Sequence, residues 1–105
     1  MLRLKEGVKL TDLCPQMVLA AVSVDSLYGQ YGVLECWITS ANDSTHSEHS
    51  WHYKGRALDF RTHNYLGNKT ELLARIKVNL GDEYDVVLEA VGTANEHLHV
   101  EYDPK

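Results

Sequence analysis

Two short segments carry most of the chemically capable side chains in this chain. Ser50-Trp51-His52-Tyr53-Lys54-Gly55-Arg56-Ala57-Leu58-Asp59 is followed, late in the sequence, by Glu96-His97-Leu98-His99. Together they supply imidazoles, a carboxylate and a further acid, the donor types of a hydrolytic zinc centre, in which three protein ligands leave one position open for water. His52 and Asp59 are too far apart in sequence to share a helical turn. They suit a loop that runs into a strand, because Ala57, Asp59 and Arg61 alternate with Leu58 and Phe60, the period of a half-buried strand. Gly55 allows the backbone to turn between them. In the second segment His97, His99 and Glu101 alternate with Leu98, Val100 and Tyr102, so both histidines can project from one face.

The pattern Ser-x-His-x-x-Gly-x-Ala-x-Asp, followed by acid-x-x-His near the end, resembles the M15-class zinc D,D-peptidases, a group that includes phage endolysins. The stretch 39–62, with His46-Ser47-Glu48 and then His52 to Asp59, is also similar to the signalling domain of Hedgehog proteins, which shares that fold. The resemblance spans roughly residues 33–103. It implies that His52, Asp59 and His99 bind Zn²⁺ and that Glu96 is the general base, taking a proton from metal-bound water and passing it to the leaving amine. Glu89 is the competing base, since in Hedgehog-like members the acid of that preceding strand reaches the metal site. The implied activity is a zinc peptidase that cleaves bacterial peptidoglycan stems next to D-alanine. The alternative is a Hedgehog-like zinc-binding module that binds a partner or cell-wall peptide without turnover. A structural phage protein with an inherited site is a third class.

Around the ligands, Ser50 matches a substrate-contacting serine of the family and is equally readable as a turn hydroxyl. His97 and His46 could hydrogen-bond a substrate carbonyl or carboxylate. Arg61 lies on the Asp59 face and could pair bidentately with a substrate carboxylate, or form a structural salt bridge. His49 and His63 read as surface residues. Asp43 and Glu48 are too few acids for a calcium site of six to eight oxygens.

The elements that must position these groups read as α+β. Thr11 or Asp12 can cap a helix with Pro15 in its first turn, and Met17, Ala21, Val24, Tyr28 and Tyr31 recur at helical spacing until Gly29 and Gly32. Residues 33–39 and 56–62 read as strands on either side of a polar loop over 40–50. Asn68 or Thr70 opens a second helix with Leu72, Leu73, Ile76 and Leu80 as its apolar stripe, ended by Gly81. Residues 84–89 and 97–102 form a last hairpin. The expected architecture is a single domain, 1–105, with a small antiparallel sheet, helices on one face and the metal cleft on the other.

Composition sets the outer bounds. A net charge of −5 with no Lys/Arg cluster excludes a nucleic-acid footprint. No stretch approaches the roughly 20 apolar residues of a membrane span, and residues 1–7 hold no signal-peptide h-region. The expectation is therefore synthesis in the cytoplasm and action at the bacterial wall after phage-type release. Cys14 and Cys36 read as reduced, buried thiols. Nothing in the sequence sets an oligomeric state.

Overall fold

The computed structural model describes residues 1–41 and 55–104. Seven elements follow in order: β1 (Leu2–Leu4), α1 (Pro15–Gln30), β2 (Cys36–Ser40), β3 (Ala57–Arg61), α2 (Lys69–Leu80), β4 (Tyr84–Glu89) and β5 (His97–Tyr102). The strands form one sheet in the order β1-β2-β3-β5-β4. The sheet is mixed, which corrects the expected antiparallel one: β1 runs parallel to β2, with Leu2 against Cys36 and Leu4 against Ile38, and the remaining pairs are antiparallel. A three-residue strand is too short to show a period, so β1 left no signal in the sequence. Backbone bonds from Cys36 N to Met1 O (2.8 Å) and from Lys5 N to Ile38 O (2.9 Å) extend its pairing with β2.

Alternation along the strands divides the sheet into two chemically distinct faces. Ile38, Leu58, Phe60, Val86, Leu98 and Val100 point to one side and are buried. Against them pack Met17, Ala20, Val24, Leu27 and Tyr28 of α1 and Leu72 and Ile76 of α2, in one apolar cluster. Burial of these side chains supplies the main drive to fold, at roughly 1.5–3 kcal/mol for each large one fully removed from water. Both helices therefore cover the apolar face, and the polar groups of β3 and β5 are left on the other.

The helix ends differ in how they are made. At α2 the Asn68 side chain accepts from Glu71 N at 3.0 Å, the expected cap, and Gly81 follows the last turn with φ +87°. At α1 neither Thr11 nor Asp12 caps. The N-cap is Cys14, with no side-chain bond and with Pro15 directly after it. Asp12 instead takes a left-handed conformation (φ +62°), and Cys14 N donates to Gly55 O at 2.9 Å. A long-range backbone contact with the residue leading into β3 takes the place of the local cap. Cys14 and Cys36 are both free, and burial pushes the Cys36 thiol up to about 12, leaving it protonated and unreactive. No described helix is long and apolar enough to cross a membrane.

Candidate functional site

The polar face of the sheet is built by register. β3 and β5 pair Asp59 with His99 and Arg61 with His97. On the other side of β5, Glu89 stands opposite His97 and Asp85 opposite Glu101. Directly opposed residues project to the same side at close range, so three strands bring their acids and imidazoles to one patch.

Within it, His99 Nδ1 donates to Asp59 Oδ1 at 2.8 Å and Nε2 donates to Glu101 Oε1 at 2.8 Å. His97 Nδ1 donates to Asn95 O at 2.8 Å and Nε2 to Glu89 Oε1 at 2.9 Å. Glu89 Oε1 also lies 3.9 Å from His99 Nδ1. Burial of His99 disfavours its cation, but the hydrogen bonds to Asp59 and Glu101 and the charges of Asp59 and Glu89 outweigh that and carry its pKa to about 9. For His97, too, burial opposes the charge, and the bonds to Asn95 and Glu89 with the charge of Asp59 raise the pKa above the usual imidazole value.

Ligand atoms of Asp59, Glu89 and His99 all lie within 4.8 Å of one another. Donors of one zinc ion, each roughly 2.0–2.2 Å from it, stand up to about 4 Å apart. Carboxylate oxygen and imidazole nitrogen are also the donor types such an ion takes, so the described residues fit a divalent cation after small side-chain adjustments. Glu101 on the far nitrogen of His99 matches the carboxylate that commonly orients a metal-bound histidine. The alternation of His97, His99 and Glu101 signalled that shared face, but the sequence held no sign that Glu101 would bond His99.

Glu96 occupies a different place from the one expected. It precedes β5 in the same alternation as Leu98 and Val100, so it turns to the helix side, where it is 7% exposed. Its carboxylate accepts from Thr62 Oγ1 (2.7 Å), Lys69 Nζ (2.5 Å) and Gly92 N (2.9 Å). The Gly92 N–H first, then Lys69 and Thr62, hold it down at about 2 against the opposing effect of burial. The acid that stands with Asp59 and His99 is Glu89, not Glu96. His46, Ser50 and His52, with Asp43, Glu48 and His49, lie outside the described residues.

Beside this cluster opens a cleft of about 430 Å³ whose lining includes Lys5, Thr39, Asp59, Arg61, His63 and His97. His63 is exposed, as its sequence context suggested. Arg61 forms no ion pair among the described residues. Its guanidinium lies 5.0 Å from the centroid of the Trp37 ring, a cation–π contact that spacing alone did not reveal.

Comparison with known proteins shows the family. Residues 11–100 match the family model of the Hedgehog amino-terminal signalling domain. The chain is 38% identical over 81 residues to Indian hedgehog B protein of Danio rerio, an alignment that takes in 75% of this chain and 18% of that protein. No solved structure matches significantly. These findings correct four expectations: a D-Ala-D-Ala peptidase, a peptidoglycan substrate, a phage-type hydrolase, and synthesis in the cytoplasm for action at the bacterial wall. All rested on a motif that two families share, and the match over most of the chain separates them. The chain belongs to the Hedgehog amino-terminal signalling domain family.

Proposed function

We propose that this chain is a signalling-type module that binds a protein partner without hydrolysing it, and that zinc organises the face it presents. The observation that carries the reading is the match to the Hedgehog signalling domain over residues 11–100. The chain spans 18% of the length of Indian hedgehog B protein, so the partner binding proposed here is assigned to the shared domain alone. Asp59 and His99 would hold the ion, with Glu89 beside them and with His52 as the ligand that the motif implies. When bound, zinc supplies a fixed double positive charge that joins β3 to β5. Glu101 holds the His99 ring by its far nitrogen, and the Glu89–His97 pair fixes the adjoining wall.

Displacement on cells tests this. Cells that bind a fluorescent form of the matching segment of Indian hedgehog B protein should release it to zinc-loaded chain. Chelated chain and the Asp59→Ala variant should compete much less well. Absence of competition by zinc-loaded protein would refute the reading, as would hydrolysis of D-alanyl peptides that Asp59→Ala abolishes.

A further inference from the structure

The cleft beside Asp59 is lined by two cations, Lys5 and Arg61, and two carboxylates, Asp59 and Glu96, and among the described residues only the carboxylates are bonded to other charged groups. Asp59 is bonded to His99, Glu89 to His97, and Glu96 to Lys69, Thr62 and Gly92. Lys5 and Arg61 line the same cleft, and neither has a side-chain hydrogen bond or ion pair among the described residues. Among the described residues, a chain of net charge −5 thus presents at one place two cations to which no carboxylate is bonded. Arg61 is also held in position. The buried Tyr28 hydroxyl donates to its main-chain oxygen at 2.9 Å, and the guanidinium carbon lies over the Trp37 ring, 5.0 Å from its centroid. A cation–π contact uses none of the guanidinium N–H donors, and a guanidinium whose position is set in advance loses less freedom on binding than a mobile one.

The geometry points to a carboxylate-binding subsite here, in which Arg61, assisted by Lys5, receives an aspartate or glutamate side chain of the protein partner. This rests on the reading of the chain as a partner-binding module and supplies the chemistry of one contact. A single planar carboxylate matches the two parallel donors of a guanidinium. A sulfated or phosphorylated polymer fits less well, because Asp59 and Glu96 line the cleft, with Glu89 bonded to its His97 wall, and would repel its several charges.

The test is a ¹H–¹⁵N NMR titration of the zinc-loaded chain with acetyl-Gly-Asp-Gly-amide, its Asn counterpart and inorganic sulfate, read at Arg61 Nε–H and Trp37 Nε1–H. Saturable shifts are expected with the Asp peptide alone. Arg61→Gln should weaken its binding about tenfold or more, as loss of a charge-assisted bidentate contact does. Arg61→Lys, which keeps the charge and serves as the second variant should Gln disturb the fold, should weaken it less. Equal response to the Asn peptide, stronger binding of sulfate, or Asp-peptide binding unchanged in both variants would overturn the subsite. In the cell displacement assay, competition that Asp59→Ala abolishes and Arg61→Gln leaves untouched would sink the subsite but not the module. Failure of the unmodified chain to compete would sink the module, while the peptide titration would still decide the subsite.

Discussion

Glu96 is a carboxylate with both oxygens engaged, taking a hydroxyl, an ammonium and a main-chain N–H in a nearly closed pocket. Such a group stabilises the fold by being charged. Its pKa of about 2 lies below the ordinary 4.5, so its contribution is fully present above the ordinary value and is lost as pH falls through about 2. Glu96→Gln should cost roughly 1–3 kcal/mol near neutrality, the usual consequence of leaving buried polar partners poorly matched. Melting curves of the two proteins should converge as pH drops from 5 toward 2, and a gap independent of pH would contradict this assignment. Zinc content should be unaffected. Glu101 acts differently, on the far nitrogen of His99. Glu101→Gln should weaken zinc binding about 10- to 100-fold in chelator competition, as loss of a partner to a metal-bound histidine does. Because both His99 nitrogens face carboxylates and its pKa is near 9, zinc must displace a proton, and affinity should rise with pH up to that range.

Among the elements, β3 and β5 place the site. Their register sets Asp59 beside His99, and a slip of one residue would turn every side chain of one strand to the other face. The entry to β3 is fixed from the N-terminal side. Gly55 has φ +71°, and a Cβ on it would lie 2.1 Å from the main-chain oxygen of Asp12, while Cys14 N bonds its carbonyl. Gly55→Ala should destabilise the protein by more than about 1 kcal/mol, since strain at positive φ adds to a backbone clash. Thermal melting measures this, and an unchanged midpoint would show that the contact is loose. The β4–β5 connection is tied similarly, through Gly92 N to Glu96, so the buried acid helps set where Glu89 and His97 emerge.

At the scale of the molecule, one sheet separates an apolar side, covered by α1 and α2, from a side that gathers ionisable groups. Three carboxylates and two imidazoles on that side are held close, and a divalent cation would relieve the mutual repulsion of the acids. Zinc at 100-fold over its Kd should raise stability by about 2.7 kcal/mol, the mass-action value for a ligand that binds only the folded state. Chelator should reverse the gain in the unmodified chain and do nothing to Asp59→Ala. A midpoint unmoved by zinc would exclude a metal-linked fold.

The amino-acid sequence by itself determined what is local. The alternation of Asp59 with Leu58 and Phe60, and of His97 and His99 with Leu98, foretold β3 and β5 and the face each histidine takes. The stripes of Met17, Val24 and Tyr28 and of Leu72 and Ile76 foretold both helices. These are short-range periodicities, set by the backbone repeat of a strand or helix. The tertiary structure decided what depends on distant partners. It paired β1 with β2 in parallel, replaced the expected cap of α1 with a bond to Gly55, and set the Arg61 guanidinium over the Trp37 ring. It also turned Glu96 toward Lys69 and left Glu89 with His97. Which acid meets which cation depends on the course of the connection between β4 and β5 and on the packing of α2, and neither is encoded in the spacing of a motif.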